Sequence, residues 1–441
     1  MADIKVVKFG GSSLADANQF KKVLKIINSD KSRKFVVVSA PGKRFPEDIK
    51  ITDMLYNCYE KAVAKEDYSK EFAEIKERYN SIIRDLSLDI SLEEEFEFIK
   101  YSFEHNVGRD YAASRGEYLN AILLAEYLGF PFIDTLGLLC FDEDGVFNLE
   151  KSTSMIGPKL LELGHAVIPG FYGSMPNDTI KTFSRGGSDI TGSIIANAVD
   201  ADLYENWTDV SGFLICDPKI VNDPKPITTI TYRELRELSY MGASVLHEEA
   251  IFPVRTKGIP INIKNTNHTE DEGTMIVSST DKRSKYTITG IAGKKGFLSI
   301  NIEKDRMNKM VGFGRSVLRV LEKNGIGFEH MPSGIDTLSV IVREEAIKGR
   351  EQDVIDEIIY RVKPDHIKME NDLALIAVVG KGMRQTRGTA GRIFSALAHA
   401  RINVKMIDQG SSELNIIIGV SEEDFEQATR AIYDMFVLTE E

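Results

Sequence analysis

Lys8-Phe9-Gly10-Gly11-Ser12-Ser13 closes the apolar run 4–9, and a second glycine loop, Ser184-Arg185-Gly186-Gly187-Ser188-Asp189, stands near the middle of the chain. An apolar run that ends in paired glycines and leads into a helical pattern reads as strand, tight loop and helix start, where freed backbone N–H groups can face an anion. One such loop is weak evidence. Two, one preceded by Lys8 and the other carrying Arg185 and Asp189, describe a site that handles phosphate beside a carboxylate-bearing substrate.

Outward from these loops the chain alternates. Short apolar runs with β-branched character at 35–39, 132–135, 166–169, 203–207 and 259–264 are separated by helical patterns such as 18–27, 116–128 and 191–198. That alternation predicts an α/β fold, a mostly parallel sheet flanked by helices, with ligands at the carboxyl ends of the strands. Residues 59–105 break the rhythm. They are rich in Glu and Lys, have a helical period and contain no strand pattern, so a solvated helical hairpin or lid is expected there, with Tyr56, Tyr59 and Tyr68 in helix packing.

Beyond residue 281 the texture changes. The polar stretch Asp281-Lys282-Arg283-Ser284-Lys285 reads as a linker, and two similar units with strand, helix, strand, strand, helix patterning follow it. The loops that open their first helices, Met310-Val311-Gly312-Phe313-Gly314 and Gly388-Thr389-Ala390-Gly391, recur at matching places.

Composition excludes several classes. The 441 residues carry 55 basic and 67 acidic side chains, a formal net charge of -12, which disfavours a nucleic-acid-binding surface or a polybasic membrane patch. Cys58, Cys140 and Cys216 have no zinc-ligand spacing and are expected as buried thiols of a reducing compartment. The start MADIKVVKFGG lacks a signal-peptide pattern, and a cytoplasmic protein is expected.

Four motifs now stand in order: residues 6–13, the loop 184–189, Trp207-Thr208-Asp209-Val210-Ser211-Gly212 with Asp217-Pro218, and Gly242-Ala243-Ser244-Val245-Leu246-His247. Together they resemble the aspartokinases of the amino acid kinase family, and the two C-terminal units resemble ACT domains, ferredoxin-like βαββαβ modules that bind amino acids. The resemblance covers nearly the entire chain. It implies a catalytic amino acid kinase domain over 1–282, a linker and first strand of the second ACT domain over 283–295, a first ACT domain over 296–370 and a second over 371–441. It also implies transfer of the γ-phosphoryl group of ATP, with Mg²⁺, to the β-carboxylate of L-aspartate, at the entry to lysine, threonine and methionine synthesis.

Residue by residue, the resemblance implies catalytic roles for Lys8 and Asp189, and phosphate or nucleotide contacts for Lys8, Gly10, Gly11, Ser12, Thr208, Asp209 and Lys219. Arg185 would clamp the substrate α-carboxylate, Glu117 would meet its ammonium, and Ser39, Thr52 and Ser188 would supply hydroxyls. No side chain is assigned as a metal ligand. Met307, Gly312, Phe313, Gly314, Glu329 and Ser333 fall where lysine-sensing members hold their effector, lysine alone or with threonine, in a homodimer or tetramer built through the ACT domains. Leu214 stands where many members have tyrosine, Lys219 where they have arginine and Ser244 where a lysine is common. The residues leave open another amino-acid kinase of this fold or a catalytically silent ACT-type sensor. His247 reads as a structural residue, and Trp207 as packing or one wall of the nucleotide pocket.

Overall fold

The computed structural model describes residues 3–184, 186–243, 246, 248–280, 285–384 and 386–439. Two compact units arise. One comprises residues 1–213, 226–233 and 245–280; the other comprises 214–225, 234–244 and 281–441.

The first unit is built on a seven-stranded sheet. Its order is Ala166–Pro169, Arg33–Val38, Lys5–Phe9, Leu203–Thr208, Ile261–Asn265, Thr274–Val277 and Thr229–Thr231. Pairing is parallel throughout except between Ile261–Asn265 and Thr274–Val277. The central strands are buried on both faces, which is why they read as continuous apolar runs. Helix Ala17–Asn28 shows the local logic: the Asp16 side chain caps it by accepting from Gln19 N at 3.0 Å, and Phe20, Val23, Ile26 and Ile27 form its buried face. The run 132–135 contributes only a single bridge, Phe132 to Val167.

The expected hairpin or lid over 59–105 is instead three helices, Ile51–Ala64, Ser69–Leu86 and Glu93–Glu104, packed into the core. Phe72, Tyr79, Phe96 and Phe103 are buried there in edge-on or tilted ring contacts. The Glu and Lys residues dominate the composition because they cover the outer faces, while an apolar residue, a ring at 72, 79, 96 and 103 and isoleucine at 75, 82 and 99, recurs every third or fourth position and drives burial. Tyr59 and Tyr68 join this cluster against Phe103. All three cysteines are buried and free. Among the described residues no helix is long and apolar enough to cross a membrane.

The second unit holds a six-stranded sheet, ordered Phe328–His330, Thr337–Arg343, Gly290–Glu303, His366–Val379, Asn415–Ser421 and Met406–Asp408. Its two long strands are shared between the repeats: residues 290–294 pair with 375–379, and 297–303 pair with 366–373, with an irregularity between Lys294 and Phe297. Leu298, Ile300, Ile302, Leu338, Val340 and Val342 alternate onto one face and form the first repeat's core with Val317, Val320 and Val354. The repeat is visible in the backbone. Gly312 (φ 83°) and Gly388 (φ 85°) both sit left-handed immediately before helices Phe313–Lys323 and Thr389–His399, a conformation that L side chains rarely adopt.

Candidate active site

Lys8 lies near the carboxyl end of the first strand, in parallel register with Asn206 on the neighbouring Leu203–Thr208 strand. Its ammonium is 2.5 Å from Asp189 Oδ1, and both side chains are largely buried. Asp189 is in the first turn of helix Gly187–Ala198, which starts after Gly186 in the left-handed region (φ 59°). The Tyr204 hydroxyl donates to Asp189 O at 3.0 Å and so anchors that turn to the sheet.

The loop after Lys8 is held tightly. Gly10 N donates to Trp207 O at 2.9 Å, and Gly42 N donates to Gly11 O at 2.8 Å. A Cβ on Gly11 would meet Ala40 O at 2.9 Å, so glycine is needed for the loop to lie against residues 40–42. Ser12 is half-buried, and its neighbour Ser13 shares a 2.8 Å hydrogen bond with Thr266.

Glu117 enters from helix Arg109–Leu128, which is buried on nearly every side. Gly116 lets that helix approach: a Cβ there would lie 2.7 Å from Ala40 Cβ. Glu117 is 5 % exposed, and its Oε2 and the Oδ1 of Asn120 have no hydrogen-bond partner among the described residues. Burial pushes the Glu117 carboxyl up to about 8, against the pull of the Ala40 N–H and the Lys8 charge. Asn120 Nδ2 donates to Ser39 O at 2.7 Å and ties the helix to the end of the second strand. Ser39 and Thr52 are half-buried, and Ser188 is buried against Gly170, where a Cβ would lie 2.7 Å from Ser188 Cβ. Arg185 lies outside the described residues, as do Ser244 and His247.

On the other side of the first strand, Thr208 and Asp209 follow the Leu203–Thr208 strand. Thr208 Oγ1 donates to Asp209 Oδ1 at 3.1 Å, and a Cβ on Gly10 would sit 3.5 Å from Lys8 Nζ and 3.9 Å from Thr208 Oγ1. Trp207 is buried packing beneath this edge, stacked on Phe9, with its Nε1 donating to Glu205 at 2.8 Å. Lys264 lies over the Trp207 ring and donates to Asp271 O at 2.9 Å. Lys219 is exposed on the 214–225 segment, which is counted with the second unit, and the exposed Leu214 lies on the same segment. The structure therefore brings together Lys8, Gly10, Gly11, Asp189 and Thr208, with Glu117 close enough to feel the Lys8 charge.

Three contributors escaped the sequence reading. Gly42 follows Pro41 at the end of a strand, a turn signal that could have been weighed. Asn120 repeats one helical turn after Glu117. Asn206 gave no signal, because its register with Lys8 spans 198 residues.

In the second unit, Met307 and Phe313 are buried, Gly312 and Gly314 open the helix beside them, and Ser333 is exposed. Glu329 is already engaged. Arg343 Nε donates to its Oε1 at 2.7 Å and Tyr240 OH to its Oε2 at 2.5 Å. Burial would raise its carboxyl, but these two donors outweigh it and hold the carboxyl below its usual range.

The amino acid kinase family model matches residues 3–265, and an ACT domain model matches 376–436. Aspartokinase 3 of Bacillus subtilis is 42% identical over 98% of this chain and 98% of its own length. The crystal structure of Clostridium acetobutylicum aspartate kinase superposes with a TM-score of 0.90 at 53% identity, covering 98% of this chain and 100% of that one. Escherichia coli aspartokinase III, solved in complex with lysine and aspartate, matches at a TM-score of 0.74 over 98% of this chain and 99% of that one; its 23% identity speaks for the fold alone. A family match over more than half of the chain and relatives this similar along their whole length settle the family: the chain belongs to the amino acid kinase family and, within it, to the aspartokinases.

Proposed function

We propose that the chain is a cytoplasmic, lysine-inhibited aspartate kinase that makes 4-phospho-L-aspartate from ATP and L-aspartate. The observation that carries the site assignment is the buried Lys8–Asp189 pair at the mouth of two glycine loops, next to a buried glutamate oxygen that lacks a partner among the described residues. A buried glutamate oxygen without a partner is costly unless a ligand completes it.

The chemistry needs little acid–base help. A substrate β-carboxylate is ionised at neutral pH, so no general base is required, and the demand falls on holding two anions together while charge spreads over the transferred phosphoryl group. Lys8, the Gly11 backbone and Ser12 meet that demand on the phosphates; the Gly10 N–H is spent on Trp207 O, and Gly10 serves by leaving the space beside Lys8 open. Thr208 and Asp209 take the nucleotide beyond them. Arg185 clamps the α-carboxylate, Glu117 receives the α-ammonium, and Ser39, Thr52 and Ser188 orient the rest of the substrate.

Among the described residues no three His, Cys, Asp or Glu side chains gather into a metal site. A single carboxylate such as Asp189 suits Mg²⁺ carried in on nucleotide phosphates, where that ion neutralises charge between the phosphates. Asp189 itself keeps Lys8 in place and can hold a metal-bound water.

Lysine binds at Met307, Gly312, Phe313, Gly314, Glu329 and Ser333, alone or with threonine, and favours a less active state by binding it better. Exposed Met310, Val311, Phe328 and Ile335 around that loop are the apolar surface that ACT pairing in a dimer or tetramer would bury.

The test is ATP- and Mg²⁺-dependent trapping of acyl phosphate by hydroxylamine, with aspartate, glutamate and acetylglutamate as acceptors, each with and without lysine. Aspartate hydroxamate suppressed by lysine is expected. No product with any acceptor would indicate a silent sensor, and product with another acceptor would move the assignment within the family.

A further inference from the structure

Buried polar side chains persist where they have partners, and Asn206, 3 % exposed between Glu205 and Trp207, finds its side-chain partners among the described residues in Lys8 and Asp189. Its Nδ2 donates to Asp189 Oδ1 at 2.9 Å, and its Oδ1 accepts from Lys8 Nζ at 3.5 Å. With the Lys8 to Asp189 contact of 2.5 Å, the three side chains close a triangle. We propose that Asn206 is a positioning residue for phosphoryl transfer, which fixes the Lys8 ammonium and the Asp189 carboxylate relative to each other so that one ammonium proton is presented to the phosphates. The inference rests on the roles given above to Lys8 and Asp189.

An ammonium has three donors on a flexible four-carbon stem. Paired with Asp189 alone, Lys8 can swing about that contact. With a second acceptor on the adjacent strand, two donors have fixed directions and the direction of the third is set. Asn206 also loads Asp189 Oδ1 with a second donor, which keeps that oxygen turned toward the sheet. No hydrogen bond to Asp189 Oδ2 is made among the described residues. The Asp189 backbone is held separately by Tyr204, so replacing Asn206 frees the side-chain pair and leaves the helix start in place. Reaction rates respond steeply to this kind of placement, because an error of about 1 Å at a reacting group costs on the order of 100-fold.

Asn206→Leu keeps the branching of the side chain and removes both hydrogen bonds. Asn206→Asp keeps shape but loses the donor and sets a second carboxylate beside Asp189. Steady-state kinetics with ADP release as readout, together with melting temperatures, should show kcat lowered about tenfold or more in both, with KM for aspartate and for ATP changed less than about twofold. Should Asn206→Leu fail to fold, Asn206→Asp and Asn206→Ser carry the comparison with the same expected split. Wild-type kcat in Asn206→Asp would mean that only shape matters and would overturn the proposal; so would a loss confined to KM. Lys8→Ala is measured alongside. If it retains near-normal turnover, the reading of Lys8 falls first; if it is inactive while the folded Asn206 variants keep wild-type kcat, only the role of Asn206 falls.

Discussion

Gly11 and Gly42 touch backbone to backbone: Gly42 N donates to Gly11 O at 2.8 Å, and a Cβ on Gly42 would lie 2.5 Å from Gly11 C and 2.7 Å from Ser12 N. Real Cβ atoms do not come that close to main chain, so the phosphate-facing loop keeps its path only because neither residue has a side chain. Gly42→Ala should displace the loop and lower kcat/KM for ATP by about tenfold or more, on the scale at which small misplacements act. Kinetics at saturating aspartate will read it. Wild-type values would show that the loop tolerates the shift.

Glu117 gives the site a pH dependence. Its carboxyl, raised by burial to about 8 from an ordinary 4.5, is mainly protonated in the free chain at pH 7, and pairing with a substrate ammonium requires it to ionise. Aspartate affinity should therefore rise with pH between about 6 and 8, with proton release on binding; calorimetry in buffers of different ionisation enthalpy measures it, and Glu117→Gln should abolish the release. The same shift has a stability consequence of defined sign. The folded chain holds this proton more tightly than the unfolded one, so the contribution is fully present below about 4.5 and is lost as pH rises through about 8. A pH-independent aspartate affinity would remove Glu117 from the ammonium site.

Beneath the site, Arg33 donates to both oxygens of Glu205, at 2.8 and 3.2 Å, and the Trp207 indole donates to the same carboxylate at 2.8 Å. Arg33→Ala leaves a buried carboxylate with a lost ion partner, a change that typically costs about 3–5 kcal/mol. Trp207 is the single tryptophan of the chain, so its fluorescence reports unfolding of this unit directly. A denaturation midpoint equal to that of the parent would mean that the pair contributes nothing.

Glu329 already accepts from Arg343 and Tyr240, and a lysine ε-ammonium would compete for or join that pair. Glu329→Gln preserves acceptor geometry and removes the charge. Uninhibited kcat should stay within about twofold, while the lysine concentration for half-inhibition rises about tenfold, the scale of a lost charge-assisted contact. An unchanged inhibition curve would place the effector elsewhere.

Much of the architecture was legible because it is local. Glycine pairs after apolar runs announce loops at strand ends, alternation announces the layered sheet, and the recurrence of 312–314 at 388–391 announces the duplicated module. In the 59–105 region the helical period is legible but the burial is not, because composition averages over faces: Phe72, Tyr79, Phe96 and Phe103 are few beside their charged neighbours, yet their burial decides the packing.

The candidate site divides along the same line. The residue types, a lysine before one glycine loop and an acid within the other, follow from sequence and point to phosphate chemistry. Which atoms meet does not. Lys8 reaches Asp189 and Asn206 only because parallel register sets the first strand beside Leu203–Thr208, and Glu117 acquires its raised carboxyl only because Gly116 brings its helix under Ala40. Sequence alone determined the strand-end loops, the kinase-type motifs and the tandem regulatory repeat, since each depends on contiguous residues and their backbone preferences. Tertiary structure decided the hydrogen-bonded triangle, the glycine contact and the buried glutamate, because strand pairing and helix approach join positions far apart in the chain and exclude the water that would otherwise set their chemistry.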